Sequence, residues 1–334
     1  MKTRVGIIGG GRMARAHAIA LSRIEDVEVV GLADRFPQGA ALSRELGLPY
    51  FTDYRAMLEK PLDAVTVCLP HTLHREVVEE AARAGRHVLC EKPMATTLED
   101  CDAMIDACER AGVRLMIGQT HRFWPASISA KQLISAGRIG RPIMAQDWIA
   151  WAGFYPGYPG WLADNRLAGG GILLDNGVHS LDRLSWFFDS RSARVTARLG
   201  QYVHPIDGED NGVMLVEFEN GAYATVFESW TFPRHATECA ALIAGTKGAI
   251  RLNTWGKSYL LTSDSDGPEE IPIPEGADGF DLQLMEFVAS IREGRRPSVD
   301  GYDGRAAVAA VLAAYESERC RRGQDIRHRE RPAE

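Results

Sequence analysis

The six cysteines, Cys68, Cys90, Cys101, Cys108, Cys239 and Cys320, form no C-x-x-C pair. Their spacing excludes a zinc ribbon or a dithiol redox motif, and they read as small buried residues in a reducing compartment. No apolar run approaches the ~20 residues of a membrane span. Met1-Lys2-Thr3-Arg4 leads into an apolar stretch too short for the core of a signal peptide, so a cytoplasmic location is expected. Positive charge is in deficit. Against 45 Asp and Glu stand 38 Lys and Arg, a formal net charge of −7, which argues against a nucleic-acid surface. There is no internal repeat, no H-E-x-x-H and no other metal-ligand spacing, so no metal site is expected. What is present is an ordinary globular composition, 45% hydrophobic and 25% charged, over 334 residues, enough for two domains.

Arg4 to Ile8 reads as a short buried strand, followed by Gly9-Gly10-Gly11-Arg12-Met13-Ala14 and a helical pattern to about Ile24. This is G-x-G-x-x-A between a strand and a helix. The first glycine makes the tight turn, the second admits a pyrophosphate, and the small third residue lets helix and strand pack closely. The unpaired N–H groups of the helix N-terminus, which Arg12 and Met13 open, favour phosphate. The second strand, Val27 to Ala33, ends at Asp34, an acid suited to the adenosine ribose hydroxyls of NAD. Arg35 beside it suits the 2′-phosphate of NADP. The acid occupies the ribose position, which favours NAD and leaves NADP open.

Strand and helix go on alternating. A helix is predicted near 38–46, strands near 49–51 and over Asp63–Leu69, a helix from Thr72 to Ala84, and a strand over Val88–Cys90. The capping box Thr96-Thr97-Leu98-Glu99 then opens a helix to about Arg110, and Arg114–Gly118 is a last strand. Such alternation predicts a doubly wound parallel α/β domain over 1–121. The carboxyl ends of its strands line one crevice. The candidate cofactor contacts are therefore Gly9, Gly11, Arg12, Met13, Asp34, Arg35, Leu69, Pro70, His74, Glu91, Lys92 and Gln119. Within Cys90-Glu91-Lys92-Pro93-Met94, proline pushes Lys92 to extended backbone at a strand end, where such sheets bind ligands. The same lysine also reads as a surface residue in a βα turn.

Near residue 120 the pattern changes. Phe123-Trp124-Pro125 begins a helix ending by Gly137. Strand-like runs follow at Ile143–Trp151, Val195–Val203, Val213–Phe218, Ala222–Trp230, Glu238–Ala244 and Ala249–Leu252. Asn220-Gly221 marks a hairpin. An α+β domain with an open, mainly antiparallel sheet is expected over 122–323. Phe280–Ile291 and Val308–Tyr315 supply its packing helices, and the charge-rich tail, 324–334, frays beyond it. The 213–218 strand is apolar on both faces. One face packs on helices, and the other is expected to meet a second subunit in a homodimer or homotetramer.

Gly169-Gly170-Gly171 leads into Ile172-Leu173-Leu174-Asp175-Asn176-Gly177-Val178-His179-Ser180-Leu181-Asp182. Asp175, His179 and Asp182 share one helix face, since positions three and four apart are neighbours. Asp175 can fix the tautomer of His179 and raise its basicity, as a general base requires. The pair also reads as a buried histidine satisfied by an aspartate. The Trp151–Trp161 loop, with Tyr155 and Trp161, and Arg166 after it, suits a sugar ring, or equally a packed loop or a subunit contact.

Gly9–Ala14, Glu91-Lys92-Pro93 and Gly169–Asp182 together resemble the glucose–fructose oxidoreductase and inositol dehydrogenase family, nearly end to end. The resemblance implies a Rossmann domain, a second domain with an open sheet that often mediates oligomers, and NAD(P)-dependent oxidation or reduction at a sugar or cyclitol carbon. It implies that Lys92 is the catalytic lysine, that Asp175 and His179 are the substrate-binding and proton-transfer pair, and that Pro93 follows a cis bond. His121, Arg122, Tyr155, Trp161, Arg166 and Asn176 fall among the substrate-contact candidates. The same residues also fit an NAD-dependent glycosidase or lyase that returns its hydride, or a non-catalytic nucleotide-sensing protein.

Overall fold

The computed structural model describes residues 2–154, 158–262, 267–273, 276 and 278–332. Its chain divides into two compact units, Met1–Gln119 with Asp278–Arg305 and Thr120–Ala277 with Ala306–Glu334.

The first unit is built on β1 (Thr3–Ile8), β2 (Val27–Ala33), β3 (Tyr50–Phe51), β4 (Ala64–Val67), β5 (His87–Glu91) and β6 (Leu115–Gly118). They form one sheet in the order β3-β2-β1-β4-β5-β6, parallel throughout. That is the dinucleotide-binding strand order, with its switch point between β1 and β4. Helices α1 (Arg12–Arg23), α2 (Pro37–Leu46), α3 (Tyr54–Leu58), α4 (His74–Arg83) and α5 (Leu98–Ala111) connect the strands. Val5, Val65, Val67, Leu89 and Ile117 are fully buried, as central parallel strands covered on both faces must be. The short α3 escaped prediction because five residues carry no readable period; Asp53 caps it by accepting from the Arg55 N–H. The cap of α5 lies one residue later than predicted. Thr97, not Thr96, accepts from the Asp100 N–H at 3.1 Å, because both threonines have an acid three positions on.

Segment 278–305, placed with the second domain by the sequence, groups with the first unit. The Gly279–Arg292 helix packs on α1, and its Asp281 and Arg292 bond Arg23 and the Asp26 carbonyl. The Ile117 N–H then donates to the Val299 carbonyl at 3.0 Å, satisfying a donor on edge strand β6.

The second unit contains α6 (Pro125–Ser135), β7 (Pro142–Ala150), α7 (Asn165–Ala168), α8 (Val178–Phe188), β8 (Ser192–Gly200), β9 (Asn211–Phe218), β10 (Tyr223–Ser229), β11 (Glu238–Gly245), β12 (Gly248–Asn253), β13 (Tyr259–Thr262), β14 (Glu269–Glu270) and β15 (Gln324–Asp325). The sheet runs β14-β13-β12-β11-β7-β10-β9-β8-β15, antiparallel except where β10 lies parallel to β7. Burial alternates along β9: Met214, Val216 and Phe218 point inward, while Val213 and Leu215 stay 46% and 42% exposed. At the hairpin only Gly221 takes a positive φ, and its N–H closes a turn onto Phe218. The C-terminal tail does not fray from residue 324. β15 pairs with β8, the Ile326 N–H donates to Ala193, and Ile326 is buried, because edge strand β8 offers unpaired backbone groups.

Candidate active site residues

The glycine turn of the first unit is dictated by close approach. Gly9 has φ +110°, and a Cβ there would collide with the Cys68 carbonyl of β4's end, whereas the space around Gly11 is open. No side chain caps α1 and no acid lies in its first turn, so its N–H groups face outward for an anion. Asp34 accepts from the Phe36 N–H at 3.0 Å and lies beside Gly10; burial raises its carboxyl, while those backbone donors pull it down. Arg35 is exposed with its guanidinium over the Phe36 ring. These residues fit a bound NAD: Gly9–Met13 would hold its pyrophosphate and Asp34 its adenosine ribose.

At the end of β5, the buried Glu91 is fastened from below. His17, fully buried on α1, bonds Glu91 Oε1 through Nε2 at 2.9 Å, and its Nδ1 lies 3.4 Å from Cys68 Sγ. Burial alone would lower the His17 pKa, but the Cys68 thiol and Glu91 carboxylate together raise it to about 10. Glu91 Oε2 accepts from the Lys92 N–H at 3.3 Å, and the Lys92–Pro93 bond is cis. His74 was a candidate cofactor contact. It is fully buried instead, with Nε2 2.9 Å from the Leu69 carbonyl and Nδ1 3.0 Å from that of Pro93, so it ties the ends of β4 and β5 together. Burial lowers its pKa. Leu69 and Pro70 are partly exposed at that end, and Gln119 is buried after β6.

In the second unit the polar helix begins with a π-helical turn, Leu173–Gly177, before α8. A side chain on Gly171 would strike the Glu209 backbone, and the Glu209 carboxylate accepts from the Leu173 N–H at 2.9 Å and the Tyr315 hydroxyl at 3.1 Å. Asp175 and His179 are 8% and 6% exposed. His179 stacks on His121, ring centroids 4.0 Å apart and planes 5° from parallel. Asp182, the third member of the predicted stripe, is taken by Arg122 in a two-point bond of 2.6 Å each. Arg122 is therefore a support and not a free substrate contact. Asn176 commits its amide oxygen, accepting from the Trp230 indole N–H at 2.9 Å. Arg166 is exposed and pairs with its neighbour Asp164, and Trp161 is partly exposed in a 3-10 turn. Tyr155 lies outside the described residues.

Behind α8 is a buried polar cluster that the sequence did not disclose. Arg183, fully buried, holds both oxygens of Asp147 at 2.7 and 2.8 Å and donates to Thr254 Oγ1 at 3.0 Å. Ser180 Oγ lies 2.7 Å from both Asp147 Oδ1 and Glu228 Oε1. One hydroxyl hydrogen cannot serve two carboxylates, so one of them carries a proton. Burial pushes Glu228 well above the ordinary carboxylate range, which assigns the proton there: Glu228 donates to Ser180, and Ser180 to Asp147. Among the described residues no group of three or more His, Cys, Asp or Glu could hold a metal, and no helix is long and apolar enough to cross a membrane.

The sequence matches "Oxidoreductase family, NAD-binding Rossmann fold" over residues 3–119 and "GFO/IDH/MocA C-terminal domain" over 128–251. It is 33% identical to 1,5-anhydro-D-fructose reductase of Ensifer adhaerens, across 94% of this chain and 96% of that one. This chain belongs to the GFO/IDH/MocA oxidoreductase family. Inositol 2-dehydrogenase of Rhizobium meliloti (strain 1021) is 27% identical across 95% and 97% of the two chains. Among solved structures, levoglucosan dehydrogenase in complex with NADH superposes with a TM-score of 0.90 at 26% identity, over 98% of this chain and all of that one. As a GFO/IDH/MocA member the protein is an oxidoreductase with an NAD-binding Rossmann domain. The sequence did not disclose that Trp255 stands edge-on to both His121 and Trp124. Trp255 lies 131 residues beyond Trp124 with no shared spacing, so no local signal could have joined them.

Proposed function

We propose that this protein is an NAD-dependent dehydrogenase or reductase acting on a hydroxyl-bearing ring carbon of a sugar, sugar derivative or cyclitol. The observation that carries this reading is Lys92, fixed at the crevice end of β5 by the Glu91–His17 pair, in a chain whose second unit sinks Asp175 and His179 almost out of water. The named relatives act on an anhydro-sugar and on inositol, which supports the substrate class. Bound nicotinamide supplies the hydride acceptor, or in reduced form the donor. Lys92 donates a hydrogen bond to the substrate oxygen and stabilises negative charge developing there. His179 takes the hydroxyl proton during oxidation and returns it during reduction, a contribution of ~10²–10⁴-fold. Asp175 orients the hydroxyl. Asp34, in the ribose position, favours NAD over NADP.

The test is absorbance at the reduced-nicotinamide band over a panel of sugars, cyclitols and sugar acids, with each cofactor. Net NADH formation or consumption with one ring class is the expected result. Substrate conversion without net NADH change would replace this reading with the redox-neutral glycosidase or lyase. We further propose a cytoplasmic homodimer through the outer sheet face, where Val213, Leu215, Tyr223 and Phe227 are 46%, 42%, 47% and 37% exposed. Leu215→Arg should convert the dimer to a monomer in sedimentation, and a wild-type monomer would refute it.

A further inference from the structure

We propose that Trp124, Trp151 and Trp255, with His121, form an aromatic subsite that binds the C–H face of a ring-closed sugar or cyclitol. The subsite makes Trp255 the residue that selects cyclic over open-chain polyols. This inference deepens the functional reading above and rests on it for the substrate class.

Four rings form a connected wall. Trp255 lies in the β12–β13 connection and is 48% exposed, unusual for the largest apolar side chain. It stacks on Trp151, centroids 6.2 Å apart and planes 15° from parallel. It stands edge-on to Trp124 (6.4 Å, 90°) and to His121 (6.5 Å, 84°). His121 in turn lies flat on His179 at 4.0 Å. The wall thus runs from a solvent-exposed indole to the proposed general base, all within the second unit.

Two further observations point to a ligand of mixed polarity. The Trp151 indole N–H is buried and has no hydrogen-bond acceptor among the described residues. A buried donor left unmade costs ~1–3 kcal/mol, so an occupant that brings an acceptor is favoured. A ring hydroxyl beside a C–H face supplies both the acceptor and the apolar contact. The wall is also held in place before any ligand arrives. The Trp255 backbone N–H donates to Asn253 Oδ1 at 3.1 Å, and the preceding Thr254 is gripped by the buried Arg183 at 3.0 Å. A fixed aromatic plane matches a chair-form ring, which offers its C–H bonds on one flat face. An open-chain polyol must give up torsional freedom to present the same face.

The experiment compares wild type, Trp255→Ala and Trp255→Phe. Indole fluorescence is titrated with the cyclic and open-chain members of the same panel, without cofactor, and KM and kcat are measured on the substrates turned over. A stacking contact of ~0.5–1.5 kcal/mol corresponds to a KM rise of roughly 2- to 13-fold for cyclic substrates in Trp255→Ala. Trp255→Phe should recover most of that loss. Fluorescence should respond to cyclic polyols in wild type and lose that response in Trp255→Ala, while the NADH dissociation constant stays the same in all three. An unchanged KM in Trp255→Ala, an equal KM rise for open-chain substrates, or a fluorescence response that survives the substitution would overturn the subsite. If wild type turns over no sugar or cyclitol, the functional reading fails. The subsite then stands or falls on the cofactor-free titration alone.

Discussion

In the Rossmann unit His17 grips the carboxylate under Lys92, and His74 reaches carbonyls at the ends of β4 and β5. Behind α8 in the second unit the buried polar side chains hold one another. Arg183, Asp147, Ser180 and Glu228 share protons behind α8, and Asp182 closes on Arg122. The first arrangement fixes the positions of the strand ends that carry Leu69 and Lys92. The second fixes the orientation of one helix, so that two nearly buried residues, Asp175 and His179, keep their place. The two arrangements therefore differ in what a substitution disturbs, the strand end that carries Lys92 in one and the footing of α8 in the other.

Lys92→Met tests that contrast at its strongest. Turnover should fall by at least ~10²-fold, while NADH binding, followed by nicotinamide fluorescence, should stay near wild type if, as proposed, glycine-turn backbone and Asp34 hold the cofactor. Turnover that survives would break the catalytic side of the comparison.

A different outcome is expected behind α8. Arg183→Met leaves Asp147 charged and buried without its partner, a loss of ~3–5 kcal/mol in denaturant unfolding. The double variant Arg183→Met with Asp147→Met should regain most of it, since no charge is then left unpaired. A single variant as stable as wild type would show that the cluster does not hold the helix.

Slopes with pH sharpen the comparison by assigning each unit its own window. Glu228 is raised by burial above its ordinary value of 4.5, so the folded state keeps a proton that the unfolded chain releases. Its contribution is complete below about 4.5 and declines as pH rises beyond it. His17 is raised from 6.5 to about 10, so its contribution is complete below 6.5 and is lost as pH climbs toward 10. Thermal unfolding from pH 5 to 10 should show stability falling with pH in wild type. Glu228→Gln should flatten the fall that begins in the acid range, and His17→Gln the fall above 6.5. Identical slopes in all three proteins would dissociate both groups from stability.

Much of the first unit was legible in its sequence. Val27–Ala33 was placed to the residue, and the glycine turn, Asp34 and Lys92 all stand at strand ends. Those features are local: a turn needs glycine where a Cβ would strike Cys68, and a buried parallel strand reads as an apolar run. The π-helical turn at Asp175 was not legible, because an apolar face at helical spacing does not distinguish an inserted residue from a regular turn.

By itself, the sequence determined the α/β order, the glycine turn and the position of the lysine, since each is set by residues adjacent in the chain. Only the tertiary structure decided the rest. It spent Arg122 on Asp182 and the Asn176 amide oxygen on Trp230, laid His121 on His179, returned 278–305 to the first unit and docked residues 324–326 on β8. These pairings join segments tens to hundreds of residues apart. They follow from which buried donors and acceptors must find partners once water is excluded.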